Sequence, residues 1–269
     1  MLFAYFAGNS LMRKKIGLAL SGGGARGFAH IGVLRVLADN NIPIDMIAGT
    51  SAGSIIGGAM ASGMSVGEVE AMSQKTRWMN TMRPSLNFGG MLSSAPLGNF
   101  LAQQFPVARF EDLKIPFAVV AFDLATSQPV IFRESGDLIT AIRASCAVPG
   151  VFAPVRDEAG RMLVDGGVIS PMPVATVRAM GADVVIAVDL LSCGSSFSKN
   201  STTSIGILLQ CAMATLQNVA TVEHLAADIA IEPQIAHLRM DQIGRREEFI
   251  ELGQQAANNA LDKILQIIQ

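Results

Sequence analysis

Two short apolar runs near the start of the chain each end in a cluster of small residues and pass straight into a helical pattern. Lys15 to Leu20 (KIGLAL) runs into Ser21 to Gly27 (SGGGARG), after which Ile31, Leu34 and Leu37 recur at spacing three. Ile44 to Ala48 runs into Gly49-Thr50-Ser51-Ala52-Gly53, and small residues continue to about Met64. A run this short between a turn and a helix reads as a buried strand. Neighbouring parallel strands need a crossover between them, and a helix supplies it. The same alternation continues with a strand at Phe117 to Leu124, a hairpin partner at Pro129 to Phe132 and a helix from Asp137 to Cys146. Met162 to Val164 then leads into Asp165-Gly166-Gly167, followed by a helix over Val174 to Met180, a strand over Asp183 to Leu190 and an amphipathic helix from Arg245 to Ile268. The expected fold is α/β with three layers, a mainly parallel central sheet carrying helices on both faces.

One catalytic domain over 15–269 is expected, with 1–14 as an extension. Met1 to Met12 is uncharged and basic residues follow it, the reverse of a signal peptide. Deleting Met1 to Leu11 is therefore expected to leave the fold intact. Half the residues are hydrophobic and only 16% are charged, against roughly 25% in an average soluble chain. That allows a large core with apolar surface left over for a lipid. A net charge of −2 argues against binding nucleic acid through its phosphates. Cys146, Cys193 and Cys211 form no Cys-x-x-Cys pair, which suits reduced cysteines in the cytoplasm. Neither they nor the three histidines have zinc spacing, and no run of carboxylates suits Ca²⁺, so no metal or cofactor is expected. Met46 to Gly67 and Asn200 to Val222 are uncharged, but the first is broken by glycines. The second shows helical spacing of Ile205, Leu208, Leu209, Ala212, Leu216, Val219 and Ala220, as in an amphipathic or buried helix. Ser192 to Thr203 reads as a loop.

Gly-Thr-Ser-Ala-Gly between a strand and a helix fits a nucleophile elbow, where Ser51 projects from a strained turn and its neighbours must be small. The helix N-terminus behind it favours developing negative charge. In Gly22-Gly23-Gly24-Ala25-Arg26-Gly27 successive backbone N–H groups can converge on an anion, as in an oxyanion hole. The same residues also read as Gly-x-Gly-x-x-Gly, which suggests a dinucleotide site. The acid that would bind ribose belongs at the far end of the second strand, and Gly-Thr-Ser-Ala-Gly stands there instead. For a base the chain offers Asp165, at a strand end before two glycines, and then His224 or His237. Ser51, Asp165 and either histidine follow the order of an α/β-hydrolase triad. His30 and His224 fall in helical patterns, and a lone helical histidine is more often structural.

SGGGARG, GTSAG, ASCAVPGVFAPV (144–155) and DGG (165–167), in this order, resemble patatin-like phospholipases, in particular bacterial members similar to neuropathy target esterase. The likeness runs from about Lys15 to Leu190. It implies an α/β enzyme that cleaves fatty acyl esters of phospholipids or lysophospholipids through a Ser–Asp dyad, without histidine. Carried over, Ser51 is the nucleophile and Asp165 the base, while Gly22, Gly23, Gly24, Arg26 and Gly27 belong to the oxyanion and substrate-binding turn. A lipid substrate also implies peripheral membrane contact. This chain has Ser170 before Pro171 where many relatives have Asn, so the resemblance does not carry over one loop hydrogen bond, while the chemistry it implies is unaffected. Trp78 to Phe105, rich in Met, Phe and Gly, reads equally as a mobile cap with an acyl groove or as a helical connection packed in the core. The competing readings are a histidine-dependent α/β-hydrolase or acyltransferase, and a silent relative that binds lipid or nucleotide.

Overall fold

The structure is a computed structural model that describes residues 13–85, 90–193 and 203–268. In chain order the strands are β1 (Ile16–Leu20), β2 (Met46–Thr50), β3 (Arg83–Pro84), β4 (Leu92–Ser93), β5 (Phe117–Asp123), β6 (Gln128–Phe132), β7 (Val155–Arg156), β8 (Met162–Asp165), β9 (Val184–Val188) and β10 (Ile229–Ile231). The helices are α1 (Ala29–Asp39), α2 (Ala52–Ala61), α3 (Val66–Lys75), α4 (Trp78–Thr81), α5 (Ala95–Gln104), α6 (Leu138–Ser145), α7 (Val174–Ala179), α8 (Ser204–Ala226) and α9 (Arg246–Ile268). β3 and β4 form a small hairpin, and the other eight strands form one sheet in the order β10-β9-β1-β2-β5-β8-β7, with β6 also on β5. From β10 to β5 all neighbours are parallel, whereas β6, β7 and β8 pair antiparallel.

Period-two alternation along the central strands divides the core. Leu18, Leu20, Ile47, Ile186 and Val188 face a large apolar layer shared with Leu34, Ile56, Leu101, Ile142 and Phe249 of α1, α2, α5, α6 and α9. The opposite face carries small residues, Ala19, Ala48, Ala118 and Ala187, and against them α7 sets Val174 and Val177. The two faces give the three expected layers. α2 must lie almost on the sheet, because a Cβ on Gly53 would stand 2.1 Å from the Leu20 carbonyl oxygen. Only glycine fits there.

β8, which ends at Asp165, runs antiparallel to β5 within the mainly parallel sheet. β5 has three partners and only two edges. It pairs with β6 over Val119 to Asp123, with β2 over Phe117 to Val120 and with β8 over Ala121 to Asp123. β6 overlaps both others, so β2 and β8 must share the remaining edge. They run along it towards each other, Thr50 stopping opposite Val120 and Asp165 opposite Ala121. The head-on approach of two strands, and not a common parallel edge, joins these distant segments.

Two further segments differ from the pattern. α8 keeps Ala220 in the core but turns Leu208 (68% exposed) and Ala212 to solvent, together with Val222 and Leu225. Its apolar spacing therefore describes both faces of the helix. Over 78–105, α4 and the hairpin expose Trp78, Met79 and Met91, while α5 buries Leu97, Phe100 and Leu101. The packed-core reading therefore describes α5. The first twelve residues and most of the loop expected at 192–203 lie outside the described residues, and the described chain begins with Arg13 paired to Asp45. Among the described residues no helix is long and apolar enough to cross a membrane.

Candidate active site

Ser51 sits between β2 and α2 with φ 52° and ψ −123°. A non-glycine residue in the left-handed region is strained and persists only where its surroundings enforce it. Here they do. The Ser51 N–H donates to Ser145 Oγ at 2.8 Å, and Ser145 Oγ donates to the Val120 carbonyl at 2.6 Å. Thr50 Oγ1 donates to the Ser170 carbonyl at 2.8 Å. The elbow is thus fastened to β5, to the end of α6 and to the loop after Asp165.

Asp165 is 5% exposed. Its N–H donates to the Ala147 carbonyl at 3.0 Å, and its Oδ1 accepts the Gly167 N–H at 2.7 Å. Burial pushes its carboxyl up to about 6, against the Gly167 N–H and the neighbouring Ser51 hydroxyl, both of which favour the charged form. Cys146 stands beside the pair. Burial and the Asp165 charge raise its thiol, while the hydroxyls of Ser54 and Ser51 act the other way. The ASCAVPG stretch therefore has a definite position, with Ser145 and Cys146 against the elbow and the Ala147 carbonyl holding the Asp165 backbone. Sequence reasoning singled out that stretch without giving these residues roles.

The glycine turn packs against the serine. A Cβ on Gly22 would lie 3.2 Å from Ser51 Cβ. The Gly22 N–H is already bonded to the Pro171 carbonyl at 2.9 Å. Gly23 (φ 154°) and Gly24 (φ 57°) carry N–H groups with no acceptor among the described residues, and Ala25 and Arg26 donate theirs to Met240 and Gly23 carbonyls. Gly27 is a packing position, where a Cβ would meet Ala52 Cβ at 2.6 Å. The resemblance assigns Arg26 to the oxyanion site, but its side chain is fully buried. Its guanidinium donates to the carbonyls of Leu238 and Leu190 at 2.9–3.1 Å, so it fastens the turn from behind. A buried guanidinium needs acceptors, and two carbonyl groups supply them.

The histidines go elsewhere. His30 is buried, and its Nε2 lies 2.9 Å from the Ser21 carbonyl; burial lowers its pKa to about 4, which keeps it neutral. His224 Nδ1 pairs with Asp189 at 2.9 Å, and His237 Nε2 with Glu248 at 3.1 Å. None of the three hydrogen-bonds to Ser51 or Asp165. Ser170 Oγ, at the position that departs from the relatives' pattern, donates to Glu223 of α8 at 2.5 Å. No group of three or more His, Cys, Asp or Glu among the described residues could hold a metal.

The sequence model of the family described as "Patatin-like phospholipase" matches residues 18–178, more than half of the chain. The chain belongs to that family. An NTE family protein of Mycobacterium tuberculosis is 38% identical over 180 residues, which make up 65% of this chain and 49% of that protein. A protein named lysophospholipase nte1 from Neurospora crassa is 33% identical over 186 residues, 67% of this chain and 12% of its own length. The chain thus spans about half of its mycobacterial relatives and a small part of the fungal one. VipD from Legionella pneumophila shares the fold, with a TM-score of 0.56 at 14% identity, over 94% of this chain and 67% of that one. ExoU from Pseudomonas aeruginosa, solved in complex with SpcU, does so with a TM-score of 0.54 at 16% identity, over 94% of this chain and 52% of that one.

Proposed function

We propose that the chain hydrolyses fatty acyl esters of phospholipids or lysophospholipids, with Ser51 as nucleophile and Asp165 as its only base. Ser51 Oγ attacks the ester carbonyl carbon while its proton passes to Asp165. The N–H groups of Gly23 and Gly24 receive the tetrahedral oxyanion. Collapse releases the alcohol, which takes the proton from Asp165. Water then attacks the acyl-Ser51 ester, gives its proton to Asp165, and the fatty acid leaves as the proton returns to Ser51 Oγ. A leaving alcohol needs less acid assistance than an amine, so a carboxylate suffices for an ester.

The observation that carries this reading is the strained Ser51 facing a buried, partner-poor carboxylate where β2 and β8 meet on β5. An aspartate raised to about 6 is a better base than one at its usual 3.8. The names of the relatives, a lysophospholipase among them, point to the same substrate class. Contact with a lipid surface follows from that substrate. Val168 and Ile169, exposed just after Asp165, and Leu208, Val222 and Leu225 of α8 are among the exposed apolar side chains available for it.

The test is covalent trapping with a fluorophosphonate, followed by fatty-acid release from defined phospholipid and lysophospholipid vesicles. Wild type should gain one adduct on Ser51 and release fatty acid, and Ser51→Ala should do neither. Wild-type protein that neither labels nor hydrolyses would overturn the proposal.

A further inference from the structure

Leu216 and Glu223 lie seven residues apart, two turns along one face of α8. Leu216 Cδ2 comes within 3.3 Å of where a Cβ on Gly167 would stand, so this face of the helix closes over the loop that follows Asp165. Glu223 grips that loop with both carboxylate oxygens. Oε1 accepts the Ser170 hydroxyl at 2.5 Å, and Oε2 accepts the Met172 N–H at 2.7 Å. On its other side the same tripeptide holds the active-site backbone. The Ser170 carbonyl accepts Thr50 Oγ1 at 2.8 Å, and the Pro171 carbonyl accepts the Gly22 N–H at 2.9 Å. Thr50 precedes the candidate nucleophile, and Gly22 opens the turn that carries the candidate oxyanion donors.

We propose that Glu223 is a positioning residue, which sets the Ser51 elbow and the Gly22–Gly24 turn against each other through Ser170, Pro171 and Met172. The proposal rests on the hydrolase reading given above. Glu223 touches neither Ser51 nor Asp165 through a hydrogen bond. Its action passes through one rigid tripeptide, whose Pro171 has a fixed φ and no N–H of its own. Only a carboxylate offers two acceptor oxygens to two donors of the same segment. A glutamine keeps one such oxygen and turns an NH₂ towards the Ser170 hydroxyl, which accepts it, so the bridge survives in weakened form. An alanine removes both bonds and leaves the Met172 N–H without its acceptor. Burial raises the Glu223 carboxyl to about 7, against the Ser170 and Met172 donors, with the Asp189 charge adding to the rise. Among the described residues Glu223 has no ion-pair partner, so these two donors are what hold the carboxylate in place.

Misplacing reacting groups by about 1 Å costs roughly 10²-fold in rate. The alignment of elbow and turn matters in the transition state more than in substrate binding. Glu223→Ala should therefore lower kcat roughly 10–100-fold per trapped Ser51 while KM stays within about twofold. Glu223→Gln should recover most of the loss. Ser170→Ala should cost less than Glu223→Ala, and the two together little more than Glu223→Ala alone, because both act through one segment. The measurement is kcat and KM on one lysophospholipid in vesicles, with competent sites counted by fluorophosphonate titration, for all four variants and wild type.

If wild type fails to hydrolyse or to label, the hydrolase reading fails, and this proposal with it. If wild type is active and Glu223→Ala keeps wild-type kcat per titrated site, the positioning role alone is overturned. A loss carried wholly by KM, or additive losses for Ser170→Ala and Glu223→Ala, also overturns it. Should Glu223→Ala not fold, Glu223→Gln and Ser170→Ala decide. Wild-type kcat in both refutes the proposal, and a fall in kcat at constant KM supports it.

Discussion

Asp165 is a carboxylate held where its charge is expensive, and Asp165→Asn measures that expense directly. Its carboxyl lies at about 6 in the fold against a usual 3.8. At 1.36 kcal/mol for each factor of ten in proton affinity, the difference corresponds to ~3 kcal/mol. The sign follows from proton counting. Between pH 3.8 and about 6 the folded chain holds a proton on Asp165 that the unfolded chain has lost. Stability therefore falls as pH rises through this window. Below it both states are protonated and nothing is lost; above it the full penalty applies. Asparagine is neutral and of the same shape, and its Oδ1 still accepts the Gly167 N–H. Asp165→Asn should be more stable than wild type above pH 7 by up to ~3 kcal/mol, and the gap should close towards pH 4. In melting temperature that is about 2–4 °C for each kcal/mol in a chain of this size. The same variant should show almost no turnover, and wild-type kcat/KM should fall below an apparent pKa near 6 as the base takes up its proton. The assay is urea unfolding of both proteins at pH 4.5, 6 and 8, beside a pH–rate profile of wild type. A gap independent of pH, or an asparagine variant less stable than wild type at pH 8, would refute the reasoning.

Ser51→Ala and Asp165→Ala should each remove nearly all turnover, and the double variant should be scarcely worse than either, since groups that act as one unit are not additive; additive losses in lipid hydrolysis would contradict a dyad. His237→Ala and His224→Asn should leave turnover per titrated Ser51 near wild type, because these rings are bonded to Glu248 and Asp189. A folded histidine variant as inactive as Ser51→Ala would restore the triad. Gly22→Ala puts a methyl group 3.2 Å from Ser51 Cβ, so fluorophosphonate labelling should slow while the fold, followed by circular dichroism, stays; labelling at the wild-type rate would show that the turn has room to give.

How much of this was legible in the sequence depends on how local each demand is. The elbow and the glycine turn were readable because strained backbone and close approach restrict residue type on the spot, as at Ser51 and Gly53. The parallel half of the sheet was readable because strand–helix alternation leaves few other solutions. The direction of β8 was not, since three or four apolar residues before a turn look the same whichever way the strand runs. Only the pairing along β5 distinguishes the two, and that pairing is set by segments far apart in the chain. The partners of the Arg26 side chain were not legible for a related reason. Its place in the turn is local, but its side chain is claimed by the Leu190 and Leu238 carbonyls, far along the chain.

Glu223 left a fainter trace. No charged residue occurs from 200 to 222, and the first one after that stretch is this glutamate. A carboxylate that ends so long an uncharged helix has to be held by donors from elsewhere, because the helix brings it no cation. Those donors are the Ser170 hydroxyl and the Met172 N–H. The serine at 170, which departs from the relatives' pattern, and the glutamate at 223 are therefore two halves of one contact. Neither half carries meaning alone in the sequence. Together they hold the loop after Asp165, whose Ser170 and Pro171 carbonyls accept the Thr50 hydroxyl and the Gly22 N–H.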